Sequence, residues 1–203
     1  MKKRKGMQTE EKGNPKERLM KAAVDLIYRQ GFDATTVNHL IEASETHKAS
    51  FYRHFQNKGE VGELYLQIQG SSFVQGWKIL MAKAESPEQF VRIWVSMLRR
   101  QVRRQAYFGC PIARFMTSSE KTPQSPEIAK AILESWYHLF ADFFLSFEPK
   151  EKQSSRDVQE FCLNKARQFI KIFQGNSQLY VITQNADYFE EMEGELLSIL
   201  QAK

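Results

Sequence analysis

Apolar residues recur along most of this chain with the spacing of a helix. Leu19, Ala22, Ala23, Leu26 and Ile27 fall at i, i+3, i+4, i+7 and i+8, the stripe of one buried helix face. Pro15 suits the first turn of that helix and Gly31 its end. Thr36 then stands as an N-cap, with Thr35 beside it, before a short helix buried through Val37, Leu40 and Ile41. A tight turn, Ser44-Glu45-Thr46, leads into "THKASFYRHFQNK", Thr46 to Lys58. Helical spacing there puts Ala49, Tyr52 and Phe55 on the packed side, and turns His47, Ser50, Arg53 and His54 elsewhere. A longer helix is predicted from about Lys58 to Lys83.

The remainder is richer in large apolar residues. Pro87 opens a helix reaching about Tyr107. "GCPIARFMTSSE" predicts a break and a short helix. Ser125-Pro126-Glu127 begins another, buried through Ile128, Ile132, Trp136, Leu139, Phe140, Phe143, Phe144 and Phe147. "EPKEKQSSRD" is a polar loop. A helix over Arg156–Thr183, interrupted near Gly175, and a last one over Asp187–Gln201 complete the series. The expected class is all-α, with about nine helices.

Composition narrows the function classes. The chain has 203 residues, 42% of them hydrophobic, enough for a substantial core. A formal charge of +5 permits an anionic partner without requiring one. Cys110 and Cys162 lie far apart and lack metal-ligand spacing, which suits a reducing cytoplasm. No apolar run approaches the roughly 18 residues of a membrane span. The start, "MKKRKGMQTEEKGNPKE", lacks the apolar stretch of a signal peptide. Residues 1–12, with the basic run Lys2 to Lys5, are expected to form a flexible arm.

No phosphate loop, nucleophile elbow or paired-carboxylate pattern is present, so no catalytic residue and no cofactor is expected. His47 and His54 are seven apart, too far for the i, i+4 metal pairing, so no metal is expected either. Arg92, Arg99, Arg100, Arg103 and Arg104 crowd one helix and read as a solvated face.

Two short helices about a tight turn are a helix-turn-helix, which places its second helix in the DNA major groove. "GFDATTVNHLIEASETHKASFYRHFQNKGEV", Gly31 to Val61, resembles the tetracycline-repressor (TetR) family. The resemblance implies a helix-turn-helix domain over 1–60 and an effector-binding, dimerising domain over 61–203. It implies that Lys48, Lys58, Tyr52 and the helix start at Thr35 and Thr36 meet phosphates of double-stranded DNA. His47, Ser50, Phe51 and Arg53 become candidates for the groove-facing side, with His54 beside them. It further implies a homodimer through about 156–183 and 187–201, reading a pseudo-palindromic operator. A small, largely apolar effector is expected in a pocket of Trp94, Met97, Phe115, Trp136 and Phe140, with Gln174 and Asn176 as polar contacts. Such a regulator is usually a repressor released by its ligand.

One departure stands out. The family usually has Gly-Val-Ser in the turn, where this chain has Glu45-Thr46-His47. The turn therefore either changes shape or carries strain of about 1 kcal/mol at Glu45. Two other readings stay open: a helical binding module without DNA contact, and a redox sensor through Cys110.

Overall fold

The computed structural model describes residues 13–201. The expected flexible arm, with Lys2 to Lys5, lies outside the described residues. Among the described residues there are nine α-helices and no strand. They are α1 Pro15–Gln30, α2 Val37–Ala43, α3 Lys48–His54, α4 Lys58–Met81, α5 Pro87–Arg103, α6 Pro111–Met116, α7 Ser125–Leu145, α8 Arg156–Thr183 and α9 Tyr188–Gln201. A single 3-10 turn, Lys150–Lys152, lies in the polar loop before α8.

Local chemistry sets the early boundaries. The Asn14 side chain accepts from the Lys16 N–H at the start of α1, and Pro15 follows in the first turn. Gly31 ends the helix at φ 91°. Thr36 caps α2 by accepting from the His39 N–H, while His39 Nδ1 accepts from the Thr36 N–H. Glu45 in the turn has φ 50°. The turn thus keeps the left-handed shape a glycine would supply, and Glu45 bears the strain. Arg18 Nη1 donates to the Glu45 carbonyl at 3.2 Å, tying the turn to α1. Glu45→Gly is expected to raise stability by about 0.5–1 kcal/mol, after allowance for the looser unfolded chain. A rightward shift of the urea midpoint would register it; an unchanged or lower midpoint would deny the strain.

Helices α1–α3 pack around Leu19, Ala23, Ile27, Phe32, Leu40, Phe51 and Phe55, all buried. Burying each such ring or aliphatic side chain stabilises by roughly 1.5–3 kcal/mol. α4 continues unbroken into the C-terminal helices. At Gly62 its backbone passes so close to two rings that an added Cβ would lie 2.8 Å from both Phe115 and Phe32.

The C-terminal core is aromatic. Trp94 packs on Phe173 (5.0 Å between centroids) and Phe140 on Phe169 (5.4 Å), within a cluster that also holds Trp136 and Phe144. α8 pairs with α7 and α9, and α9 also packs on α5.

Three details differ from the reading of the periodicity. α5 stops at Arg103, because Gln105 (φ 53°) and Gly109 (φ 98°) turn the chain. α8 runs through Gly175 without interruption. Phe147 is 44% exposed, one turn beyond the buried face of α7.

Candidate nucleic-acid interface and ligand cavity

α3 has seven residues, and two rings, one inside it and one just after it, fix it. Phe51 is fully buried and Phe55, just past its end, is 4% exposed. Phe51 stands edge-on to Tyr52 at 5.2 Å and tilts against Phe55 at 5.6 Å. This rotates the helix from the expected register. Ala49 and Tyr52 face outward, Tyr52 with 51% of its surface exposed. His47, Lys48 and Arg53 are exposed as well, and Ser50 and His54 are half-buried.

Phe51 is therefore withdrawn from the groove-facing set, since a ring with no exposed surface cannot reach a base. Thr35 is withdrawn for the same reason: it is fully buried, and its hydroxyl donates to the Gly31 carbonyl at 2.7 Å. It staples the α1–α2 turn. Thr36 stays exposed, though its hydroxyl already serves the α2 cap. Lys58 is a third correction. Its Nζ donates to the Phe32 carbonyl at 2.9 Å, sits 2.5 Å from Glu120 and lies over the Phe32 ring. Its charge is consumed inside the protein rather than offered to a phosphate.

Lys58 belongs to a clasp that the chain order hides. The Asp33 carboxylate, in the α1–α2 turn, accepts from the Ser118 hydroxyl, from the Ser119 N–H and hydroxyl at 3.0 Å each, and from the Glu120 N–H at 3.3 Å. Thr122 donates to Glu63 at 2.5 Å. The loop after α6 thus grips both the α1–α2 turn and the first turns of α4. The Ser118 hydrogen bond, with help from Ser119 and Glu120, holds the Asp33 carboxyl down at about 2. A carboxyl lowered in the fold contributes fully above its unfolded value of about 4, and loses that contribution as pH falls towards about 2. The urea-midpoint gap between the native chain and Asp33→Asn should be flat above about pH 4 and close below it. A gap independent of pH would show that the charge plays no part.

The C-terminal helices leave a cavity of about 300 Å³. Trp94 and Met97 of the expected pocket line it. Phe115, Trp136 and Phe140 do not. Phe115 packs against Phe32 and Tyr65 under Gly62. Trp136 stacks behind Phe73 at 5.1 Å, and Phe140 fills the core beside Phe90 and Phe169. Gln174 is taken up by Cys110, its amide donating to the sulfur at 3.2 Å. Asn176 bridges α8 to α9 by donating to Ile172 and Glu195.

Sequence reasoning missed most of the actual wall, which comprises Phe73, Trp77 and Tyr107 with Gln69, Ser72 and Gln101. It also missed Tyr28, which reaches the cavity from α1. Tyr28 sits beside Ile27, off the buried stripe, and an aromatic in that position was the available signal. The Cys110 thiol is buried, and that burial pushes its pKa up. The arginines of α5 are mostly exposed, and Arg99 pairs with Glu190 of α9. Among the described residues no cluster of metal-ligating side chains occurs, and no helix is long and apolar enough to cross a membrane.

Comparison with known proteins places these features. Residues 19–63 match the model of the bacterial regulatory proteins of the tetR family. An uncharacterised HTH-type transcriptional regulator of Lactococcus lactis is 25% identical over 108 residues, 51% of this chain and 54% of that protein. The HTH-type transcriptional regulator TcmR of Streptomyces glaucescens is 32% identical over 74 residues, 36% of this chain and 32% of its own length. The chain thus spans about half the length of the first relative and a third of the second. The fold extends further. A TetR transcriptional regulator from Legionella pneumophila superposes with a TM-score of 0.74 at 17% identity, covering 95% of this chain and 98% of that one. The N-terminal helices thus carry the sequence signature of the tetR family of bacterial regulatory proteins, and the whole length shares the fold of a TetR transcriptional regulator.

Proposed function

We propose that the protein is a ligand-responsive transcriptional repressor that binds a pseudo-palindromic operator as a homodimer. The observation that carries this reading is the outward face of α3. Lys48, Tyr52 and Arg53 are exposed on a helix locked in place by Phe51 and Phe55. Arg53 has the geometry to bind a guanine edge in the major groove. Lys48 and the Tyr52 hydroxyl suit phosphates, which position the protein without reading sequence. His47, Ser50 and His54 flank this face. The division between the reading part and the ligand-binding, dimerising part is placed at 60/61, which α4 crosses without a break.

The dimer is proposed through α8 and α9. Phe161, Leu179 and Ile182 are exposed on α8, Ile182 at 68%. Gly175 and Gly194 lie exposed inside helices, and a Cβ at either would meet nothing within 4 Å. A helical glycine costs about 1 kcal/mol relative to alanine, so no packing within one chain accounts for either. A second copy's helices approaching closely would. A two-fold dimer sets two α3 helices about 34 Å apart, one turn of DNA. A ligand in the cavity between α4 and α5 would tilt α4 and change that spacing. Coupling of 1–3 kcal/mol would loosen DNA about 5- to 150-fold.

The buried Cys110 thiol is unsuited to redox sensing, which needs an accessible thiolate. The test is binding to the duplex upstream of the protein's own gene, at two salt concentrations, against a scrambled duplex. Tight, sequence-dependent binding that weakens steeply with salt is expected. Equal, weak binding to both duplexes, and to a pool of random duplexes after selection, would refute the reading.

A further inference from the structure

We infer that the cavity takes an uncharged, flat aromatic molecule bearing one hydrogen-bonding group, and that Tyr28 makes helix α1 part of the wall that holds it. This rests on the reading of the cavity as the effector site. Its lining side chains are all neutral. An ion entering this partly enclosed space would give up part of its water and find no opposite charge in return. The wall is instead aromatic. Trp77 stands at 86° to Trp94 and at 72° to Phe73, with centroids 5.6 and 5.0 Å apart. Perpendicular rings offer a face and an edge together, which suits a third flat ring. Gln69, Ser72 and Gln101 add groups that can donate or accept a hydrogen bond. A volume of about 300 Å³ is at the small end for ligand sites and favours a compact molecule.

Tyr28 gives the site an unusual reach. It belongs to α1, the helix that carries the core beneath α3. Its ring stands edge-on to Phe108 at 5.3 Å, and its Oη accepts the Phe108 N–H at 3.1 Å. That bond leaves the phenol proton for an acceptor on the ligand. The ligand therefore touches the reading part directly, in addition to any tilt of α4.

The test is isothermal titration calorimetry of the full chain with one ring in three charge states: 2-naphthalenemethanol, 2-naphthoate and 2-naphthylmethylammonium. The alcohol should bind at least tenfold more tightly than either ion. The cation arm matters because aromatic walls can also attract cations. Gly76→Leu should lower the alcohol's affinity at least tenfold. Gly76 lines the cavity, an added Cβ there meets nothing within 4 Å, and leucine favours the helix, so the fold should survive. Tyr28→Phe should weaken the alcohol about threefold to tenfold and leave 2-methylnaphthalene unchanged. Equal or tighter binding of an ion, no saturable binding of the alcohol, or full affinity in Gly76→Leu would overturn the inference. Equal effects of Tyr28→Phe on both neutral probes would remove the role of Tyr28. Ligand-free operator binding is measured separately, so a failed effector class and a failed regulator are told apart.

Discussion

Leu179→Glu combined with Ile182→Glu is expected to turn the protein into a monomer and to weaken operator binding at least a hundredfold. Both side chains are exposed on the same face of α8, three residues apart, so replacing them disturbs nothing in the chain's own core. In the proposed dimer they are buried against the second copy. Two carboxylates per subunit would then have to give up water without a partner, several kcal/mol each. The loss at DNA exceeds the loss of any contact. Two linked reading heads bind with an advantage of 10²–10⁴ over one, and a monomer forfeits it. Sedimentation equilibrium and anisotropy with an operator duplex provide the two readouts, with far-UV circular dichroism as the folding control. A native chain that sediments as a monomer, or a variant that still sediments as a dimer, would place the interface elsewhere.

The second large effect is expected from Lys48→Ala with Arg53→Ala. Removing an arginine from a guanine edge costs about 1–3 kcal/mol and relaxes discrimination at that base pair. Removing a phosphate contact weakens all sequences alike and lowers the salt slope by about one per site. The pair together should lose roughly a hundredfold to a thousandfold in operator affinity per dimer. Lys58→Ala is the informative contrast. Lys58 already serves Phe32 and Glu120, so its loss should lower the melting temperature and leave the salt slope intact. A salt slope that falls equally in both variants would restore Lys58 to the DNA-facing set.

The helices were legible in the sequence because their signals are local. Caps, prolines and the Leu19–Ile27 stripe each act within a few residues. The rotation of α3 was not. Phe51, Tyr52 and Phe55 allow two buried faces only about 100° apart on so short a helix. The choice belongs to the packing of α3 on α1 and α2, whose buried residues, Leu19, Ala23 and Leu40 among them, lie elsewhere in the sequence. Lys58 read as a phosphate ligand because the family resemblance places a lysine just after the recognition helix. Its true partner, Glu120, is distant in the chain. The cavity shows the same limit. A surplus of aromatics announces a wall, but any helix carries them on several sides. Trp94 and Met97 turn into the space, whereas Phe115, Trp136 and Phe140 turn away into packing. Asp33 carried no signal at all, since its four donors come from the loop after α6.

The close approach at Gly62 bears on how such a protein can change over generations. The cavity wall and the outer face of α3 are built from side chains that can be exchanged singly, so under the proposed function new ligands and new DNA sequences are within reach of point mutation. Position 62 is closed to that drift. Any side chain there must push aside the Phe115 and Phe32 rings together, and a close-packed interior has no slack to receive them. Descendants of this chain can diverge at both working ends only while the joint between them stands still.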